Sequence, residues 1–469
     1  MIRKNHNLIK LQASGLQFIV NQFTTILLFF ITSKYLSKEL FANFNWLTAL
    51  YVTIGSLISY GIEQMIIKSV AEKKSTRITR IYFFHLALGA ALLFSGITAF
   101  YFLNISKHFI YYLFGIWLLI SLCSAAFKNT LTGLELFRKM SNISLVAGCV
   151  KLVGALFFIL LPVKSVETVL LILTAGLLTE SLLSYRLLVK ETDWRLVKWS
   201  VSGDYVHLLK TAYPQLIVVV FGVALARFDW LYIGIASPGN VTADYTFAYK
   251  MFEFAKLPML IISPLLLPLF TRIFSQNGNN VEQYRYNLRQ LYDGELFLAG
   301  LLPVSFACFW TAILNVVFNN KYGDSNYIVF CILSFAIPLQ YTTDYYWNLT
   351  FAQSKYKLNM WVSVITAVVN ITLVVVLTPF LSAIGTAIAY TLSYLVPFLI
   401  YSATQSGSIF KIKAVNLLII YLLMSVSLWM IYLAKHNPYI TFFIPLAYVI
   451  LLVKSRFIDL NKLKAIFLK

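Results

Sequence analysis

The sequence predicts an all-α integral membrane protein with about fourteen transmembrane helices. Three observations predict this. Hydrophobic residues make up 59% of the 469 residues, charged residues only 12%, and mean hydropathy is +0.77; soluble domains are roughly a quarter charged. The apolar residues fall in blocks of the length that crosses a bilayer as a helix, about 20 residues. When those blocks alternate across a membrane, Lys and Arg collect on one side of it.

The blocks run 11–32, 44–61, 81–103, 109–127, 143–161, 166–188, 211–236, 243–270, 294–318, 327–351, 360–377, 383–402, 414–434 and 440–453. The last is short, so thirteen spans is the alternative count. A helix satisfies its own backbone groups, as lipid requires. Blocks this long argue against an outer-membrane barrel, whose strands alternate over about 10 residues. With the N-terminus in the cytoplasm, 28 of the 38 Lys and Arg lie in inside segments, counting Arg186 at the inner end of the sixth block; 6 lie outside and 4 lie deeper within spans. This puts both termini in the cytoplasm of a multi-pass protein. It also explains the net charge of +20 by short loops beside anionic lipid. Membrane lipids are therefore expected partners, and nucleic acid, which a basic patch on a soluble face would suggest, is not.

The basic start is followed by a block too long for a signal h-region and without a small-residue cleavage site, so the first block reads as a retained span. Cys123, Cys149, Cys308 and Cys331 lie in apolar segments without metal-like spacing and read as small buried hydrophobes.

Short loops leave no room for a soluble domain. The longest inside stretch, 189–210, mixes Trp194 and Trp199 with Arg195 and Lys198 and suggests a helix lying in the interface. The stretch 62–80 is a second such candidate. The expected organisation is an N-terminal lobe at 1–190 (helices 1–6) and an interfacial linker at 191–210. A C-terminal lobe follows at 211–403 (helices 7–12), with helices 13 and 14 and a basic cytoplasmic tail at 404–469. Transporters built from repeated halves place their site where the halves meet.

Polar residues inside the spans are the candidates for chemistry, because a charge at mid-membrane costs about 2.5–3.5 kcal/mol on insertion scales. The first span carries Ser14, Gln17, Asn21, Thr24 and Thr25 at helical spacing, and the second carries Asn45, Thr48, Ser56, Ser59, Tyr60 and Glu63. The seventh has Gln215, Arg227 and Asp229. The eighth has Lys250, Glu253 and Lys256, and the tenth has Tyr341, Asp344, Tyr345 and Asn348. One reading is a water-filled cationic cavity lined by spans one, two, seven and eight. The other is a set of interhelical hydrogen bonds and ion pairs without a ligand. Asp229 with Lys250 is a plausible structural pair, Lys250 with Glu253 is a possible in-helix pair, and Glu180 reads as a local structural residue. The four intraspan cations, Lys151, Arg227, Lys250 and Lys256, favour an anionic ligand.

Phosphate-loop and metal-ligand spacings are absent from the sequence, and the five histidines are scattered. A membrane transporter without catalytic residues, metal or cofactor is the expectation, driven by an ion or substrate gradient.

Several segments resemble the polysaccharide-unit (Wzx-type, O-antigen) flippases of the multidrug/oligosaccharidyl-lipid/polysaccharide (MOP) exporter superfamily. Tyr35-Leu36-Ser37-Lys38-Glu39-Leu40-Phe41-Ala42 resembles the stretch after that family's first span, with Ser37 and Ala42 in place of its glycines. Gly61-Ile62-Glu63 with Lys68 resembles the end of its second span. Pro214, then Arg227-Phe228-Asp229-Trp230-Leu231-Tyr232-Ile233-Gly234, then Tyr245 and Ala248-Tyr249-Lys250 resemble its seventh and eighth spans, which end in prolines like Pro258, Pro264 and Pro268. Gln353-Ser354-Lys355-Tyr356-Lys357 and Ile384-Gly385-Thr386-Ala387-Ile388-Ala389 also fit.

The resemblance implies a flippase carrying undecaprenyl-pyrophosphate-linked oligosaccharide across a bacterial inner membrane by alternating access. It implies two six-helix lobes around a central cavity, plus two C-terminal helices, the cavity being cationic, with Asp229 at the family's seventh-span acid. On this reading Lys151, Arg227, Lys250 and Lys256 attract the pyrophosphate. Asp229, Glu253 and Glu63 pair with them in turn or carry a coupling proton. Gln17, Asn21, Tyr341, Asp344 and Asn348 line the sugar space, and polysaccharide polymerase and assembly proteins are partners. The alternative is a drug or cation exporter of the same superfamily, for which Glu180, Glu253 and Asp344 would be the acids. A membrane glycan polymerase would need a long outside loop that the sequence lacks.

Overall fold

The computed structural model describes residues 20–73, 76–103, 109–192, 202–259, 263, 266, 270, 281–310, 315–318, 321–322, 324–353, 355–405, 414–434 and 437–454. Among them the regular structure is all helical. Ten segments are long and apolar enough to cross a membrane, and Tyr439–Leu452 is a shorter apolar helix. The protein is a multi-pass, all-α membrane protein. The expected linker residues 193–201 and Gln17 lie outside the described residues.

The chain divides into two compact units, Met1–Arg227 and Phe228–Lys469. The first holds α1 (20–35), α2 (Lys38–Ser59), α3 (Ile62–Lys73), α4 (Arg77–Phe102), α5 (Ile110–Gly133), α6 (Phe137–Leu160), α7 (Val166–Glu191) and most of α8 (Ser202–Ala236). Ser37, in place of a family glycine, starts α2: its hydroxyl accepts from the Leu40 N–H at 3.2 Å and so satisfies a free donor of the first turn. The helix ends at Tyr60 and Gly61, whose φ values are 54° and 70°. Two successive left-handed residues turn the chain into α3, at about 1–2 kcal/mol for the tyrosine. Ile62, Ile66 and Val70 form a fully buried stripe on α3, which packs on α5. Gly133 permits the approach, since a Cβ there would sit 2.9 Å from the Ile67 carbonyl oxygen.

Within the first unit α5 is the hub, packing against α2, α3, α4, α6 and α7. Phe127, Leu131, Met140 and Leu188 form a buried cluster where α5, α6 and α7 converge. This continuation of α5 past 127 carries Lys128 into the helix bundle, although the sequence places it in an inside loop.

The second unit holds α9 (Asn240–Ala255), α10 (Val281–Phe309), α11 (Asp324–Ser334), α12 (Ala336–Ala352), α13 (Tyr356–Ser393), α14 (Leu395–Thr404), α15 (Ala414–Leu433) and α16 (Pro438–Lys454). The buried residues of α9 lie on every side of it, because α10, α11 and α13 all pack against it. In α13 the expected eleventh and twelfth spans join without a loop. Pro379 removes a backbone donor, Ser382 turns at φ 49°, and the Thr378 and Thr386 hydroxyls bond across the break at 2.9 Å.

Candidate functional site

The first unit contains a chain of alternating charges. Lys128 on α5 pairs with Glu180 on α7, Nζ to Oε1, at 3.2 Å. Glu180 is only 3% exposed, and the Ser144 hydroxyl of α6 donates to the same oxygen at 3.3 Å. Lys151, one of the predicted cations, lies within electrostatic reach of both Glu180 and Lys128. Its aliphatic stem runs directly against Gly176 of α7, where any Cβ would collide with it. At the other end, Glu63 of α3 accepts from the Tyr82 hydroxyl at 3.5 Å and from the Asn129 side chain, in the field of Lys128. Burial pushes the Glu63 carboxyl up from its ordinary value, and those bonds and Lys128 oppose the push.

The order is therefore Glu63, Lys128, Glu180, Lys151, drawn from α3, α5, α7 and α6. Glu180 answers two ammonium groups. The sequence reading misses Lys128 because the apolar block stops at 127, although no helix breaker intervenes before Gly133. Asn21 sits half-buried on α1, where its backbone carbonyl accepts from the Thr25 hydroxyl at 2.8 Å. Arg227 is half-buried on α8, at the close of the first unit.

In the second unit Asp229 is fully buried. Its Oδ2 accepts from the Tyr245 hydroxyl at 2.5 Å, and its Oδ1 accepts from the Trp230 N–H at 2.9 Å. Two residues singled out by the resemblance thus meet across α8 and α9. Behind them Tyr249 packs edge-on against both Trp230 and Tyr390, with centroids at 5.1 and 5.4 Å. The Gln340 amide donates to Tyr390 at 3.1 Å. Linked hydroxyls of this kind polarise one another and hold a carboxylate where water is excluded.

Lys250 takes the in-helix alternative: its Nζ lies 2.6 Å from Glu253 Oε2 and 5.1 Å above the Trp230 ring. Spacing explains the choice, since three residues along a helix place the two side chains on one face. Lys256 caps the end of α9 and lies 4.8 Å over the Phe252 ring.

The tenth-span residues form a separate group. Tyr341 is fully buried, with its hydroxyl near the Met259 backbone. Asn348 donates to the Asp344 carbonyl at 2.8 Å, to the Asp344 carboxylate at 3.3 Å and to the Ser263 hydroxyl at 3.4 Å. Two acids that the sequence reading passed over complete the group. Glu295 of α10, 3% exposed, lies in the field of Asp344. Asp293 accepts from the Asn416 amide at 2.8 Å, with Arg289 Nε at 4.0 Å. Asp293 lies one residue before the ninth apolar block and Glu295 is its second residue, so both stand at the edge of the run on a helix that starts at Val281. The second unit is thus richer in buried carboxyls than a uniformly cationic cavity would be. No group of acids, histidines and cysteines with metal-binding geometry occurs among the described residues.

No curated protein matches the chain. Among solved structures, the lipid II flippase MurJ in its inward closed conformation is similar, with TM-score 0.70 and 14% identity, covering 96% of this chain and 99% of that one. A mutant of the Vibrio cholerae MATE transporter VcmN is similar at TM-score 0.58 and 13% identity, covering 86% and 96%. A MOP superfamily transporter from Pyrococcus furiosus is similar at TM-score 0.53 and 13% identity, covering 85% and 95%. At these identities the likeness shows the fold, which is that of MOP transporters. Residues 13–274 match the family described as polysaccharide biosynthesis protein, and the chain belongs to that family.

Proposed function

We propose that this protein is a flippase. It moves undecaprenyl-pyrophosphate-linked oligosaccharide repeat units, of O-antigen or a related surface polysaccharide, from the cytoplasmic to the outer leaflet of a bacterial inner membrane by alternating access. The observation that carries the reading is membership of a polysaccharide biosynthesis family by a chain with a transporter's fold. Such a fold moves a substrate, and the substrate of polysaccharide assembly that belongs to a membrane is the lipid-linked unit.

In this reading Lys151, Arg227, Lys250 and Lys256 draw in the pyrophosphate, and Lys128 joins them. Glu180 holds Lys128 and Lys151 until a phosphate group takes its place. Glu253 does the same for Lys250, and Asp229 and Glu63 exchange partners or protons as the lobes alternate. Gln17, Asn21, Tyr341, Asp344 and Asn348 line the sugar space. Polymerase and assembly proteins receive the product.

The test is translocation in reconstituted vesicles, with a short oligosaccharide on a polyprenyl pyrophosphate and an impermeant lectin scoring the outer leaflet. Lys250→Ala or Arg227→Ala should abolish protein-dependent movement while leaving insertion intact. Undiminished movement with both removed sinks the cationic site. The buried acids Asp293, Glu295 and Asp344 favour a second reading, a cation-coupled small-molecule exporter of the MATE kind. Resistance to cationic dyes on overexpression, without lipid movement, is its signature.

A further inference from the structure

An apolar groove of about 480 Å³ opens between α2, α4 and α5, lined by Trp46, Tyr51, Leu92, Gly96, Phe100 and Tyr111 among others. Its volume lies in the range that encloses small organic ligands, roughly 300–1,000 Å³. Two of its tyrosines have satisfied hydroxyls: that of Tyr51 donates to the Tyr111 carbonyl at 2.7 Å, and that of Tyr112 to Thr98 at 3.2 Å. Ring faces and aliphatic carbons remain, and Leu92 is 75% exposed.

At its end the groove meets a second, more polar pocket of about 360 Å³, and the two share Trp46 and Tyr111. Asn43, Lys164, Ser165 and Glu167 line this second pocket. Lys164 is anchored, donating to the carbonyls of Phe158 and Ile159 at 2.7 Å and to that of Leu161. All three of its N–H groups are so engaged, and its positive charge stands at a fixed place and acts through space, while the exposed Glu167 carboxylate lines the same pocket.

Length decides what fits. Leu92 lies ten residues before the end of α4 at Phe102, about 15 Å at 1.5 Å per residue. That is half of a ~30 Å hydrocarbon core, or one leaflet. On the orientation given by loop charge, these are the outer ends of the helices. We infer that the groove and pocket together bind one phospholipid of the outer leaflet with a phosphoethanolamine head, its acyl chain in the groove, its phosphate towards Lys164 and its ammonium on Glu167. A pyrophosphate-linked polyprenol carries no such ammonium, and Glu167 disfavours it. The inference needs the membrane orientation but not the flippase reading.

Gly96 supplies the test, because a Cβ there meets nothing within 4 Å and points into open groove. The delipidated full chain is titrated with phosphatidylethanolamine, phosphatidylglycerol and a polyprenyl phosphate, and bound lipid is counted by native mass spectrometry. Wild type should retain one phosphatidylethanolamine in preference to the others. Gly96→Phe should weaken it roughly tenfold, since two displaced methylenes suffice, with an unchanged thermal midpoint. Glu167→Gln should reduce the preference over phosphatidylglycerol about two- to fivefold, the scale of an exposed ion pair. Equal retention of both phospholipids, displacement by polyprenyl phosphate, or wild-type retention by Gly96→Phe overturns the proposal. Should Gly96→Phe fail to fold, an unchanged preference in Glu167→Gln overturns it alone.

Discussion

Replacing Lys128 by Met would leave the Glu180 carboxylate, 4% exposed at its side chain, without its 3.2 Å partner. At an effective dielectric of ~20 the pair attracts by about 5 kcal/mol. Stripping one member from a buried pair costs about 3–5 kcal/mol, because the remaining charge stays desolvated. Lys151 stands in reach as a substitute partner, so the lower end, about 3 kcal/mol, is the expected loss. Glu180→Gln is the milder lesion. Lys128 is 29% exposed and Lys151 is half-buried, so both cations that Glu180 answers can shift their ammonium groups towards water on flexible stems, and Gln keeps a group for Ser144 to bond. About 1 kcal/mol should go, the net value of an ordinary hydrogen bond.

The double variant, with neither charge, should recover most of the Lys128→Met loss, because hydrophobic or neutral replacements of buried pairs are often nearly neutral. The assay is the thermal midpoint of the purified variants in one detergent. At roughly 2–4 °C per kcal/mol for a unit of this size, Lys128→Met should fall by about 6–12 °C and Glu180→Gln by about 2–4 °C. A Glu180→Gln loss as large as that of Lys128→Met, or strict additivity in the double variant, refutes the reasoning.

Tyr245→Phe removes the hydroxyl that donates to Asp229 at 2.5 Å; it should cost about 1.5–3 kcal/mol, the value of a bond to a charged group, seen as a lowered thermal midpoint. Gly176→Val forces Lys151 off α7; it should lose lipid translocation and about 1–3 kcal/mol of stability through overpacking, and normal transport would separate Lys151 from the site. Glu63→Gln tests pH dependence. The folded Glu63 carboxyl sits above its ordinary 4.5, so the folded protein holds that proton more tightly than the unfolded chain. The resulting stabilisation is full below pH 4.5 and is lost as pH rises through the folded value. The midpoint of wild type should therefore fall relative to Glu63→Gln as pH climbs through that window, and parallel curves would contradict the burial argument.

The apolar blocks were legible because lipid imposes its demand locally: each crossing needs its own run of apolar residues, whatever its neighbours do. Ordered motifs such as Arg227 through Gly234 and Tyr245 through Lys250 carried the family for the same reason, being contiguous in the chain. Block ends were less legible. Lys128 and Asp293 sit one residue outside an apolar block while the helix continues, and a reading by hydropathy stops where the backbone does not.

From the sequence alone, then, came the membrane class, the positions of most crossings, the candidate polar residues and the resemblance to flippases. Only the tertiary structure decided which of those residues meet. Glu180 faces Lys128 because α5 and α7 pack with those two turns in register. Asp229 receives Tyr245 because α8 and α9 fold back on each other. Lys250 turns to Glu253 along its own helix. A partner is chosen by helix rotation and relative depth, quantities set by packing between segments far apart in the chain, and no local periodicity records them.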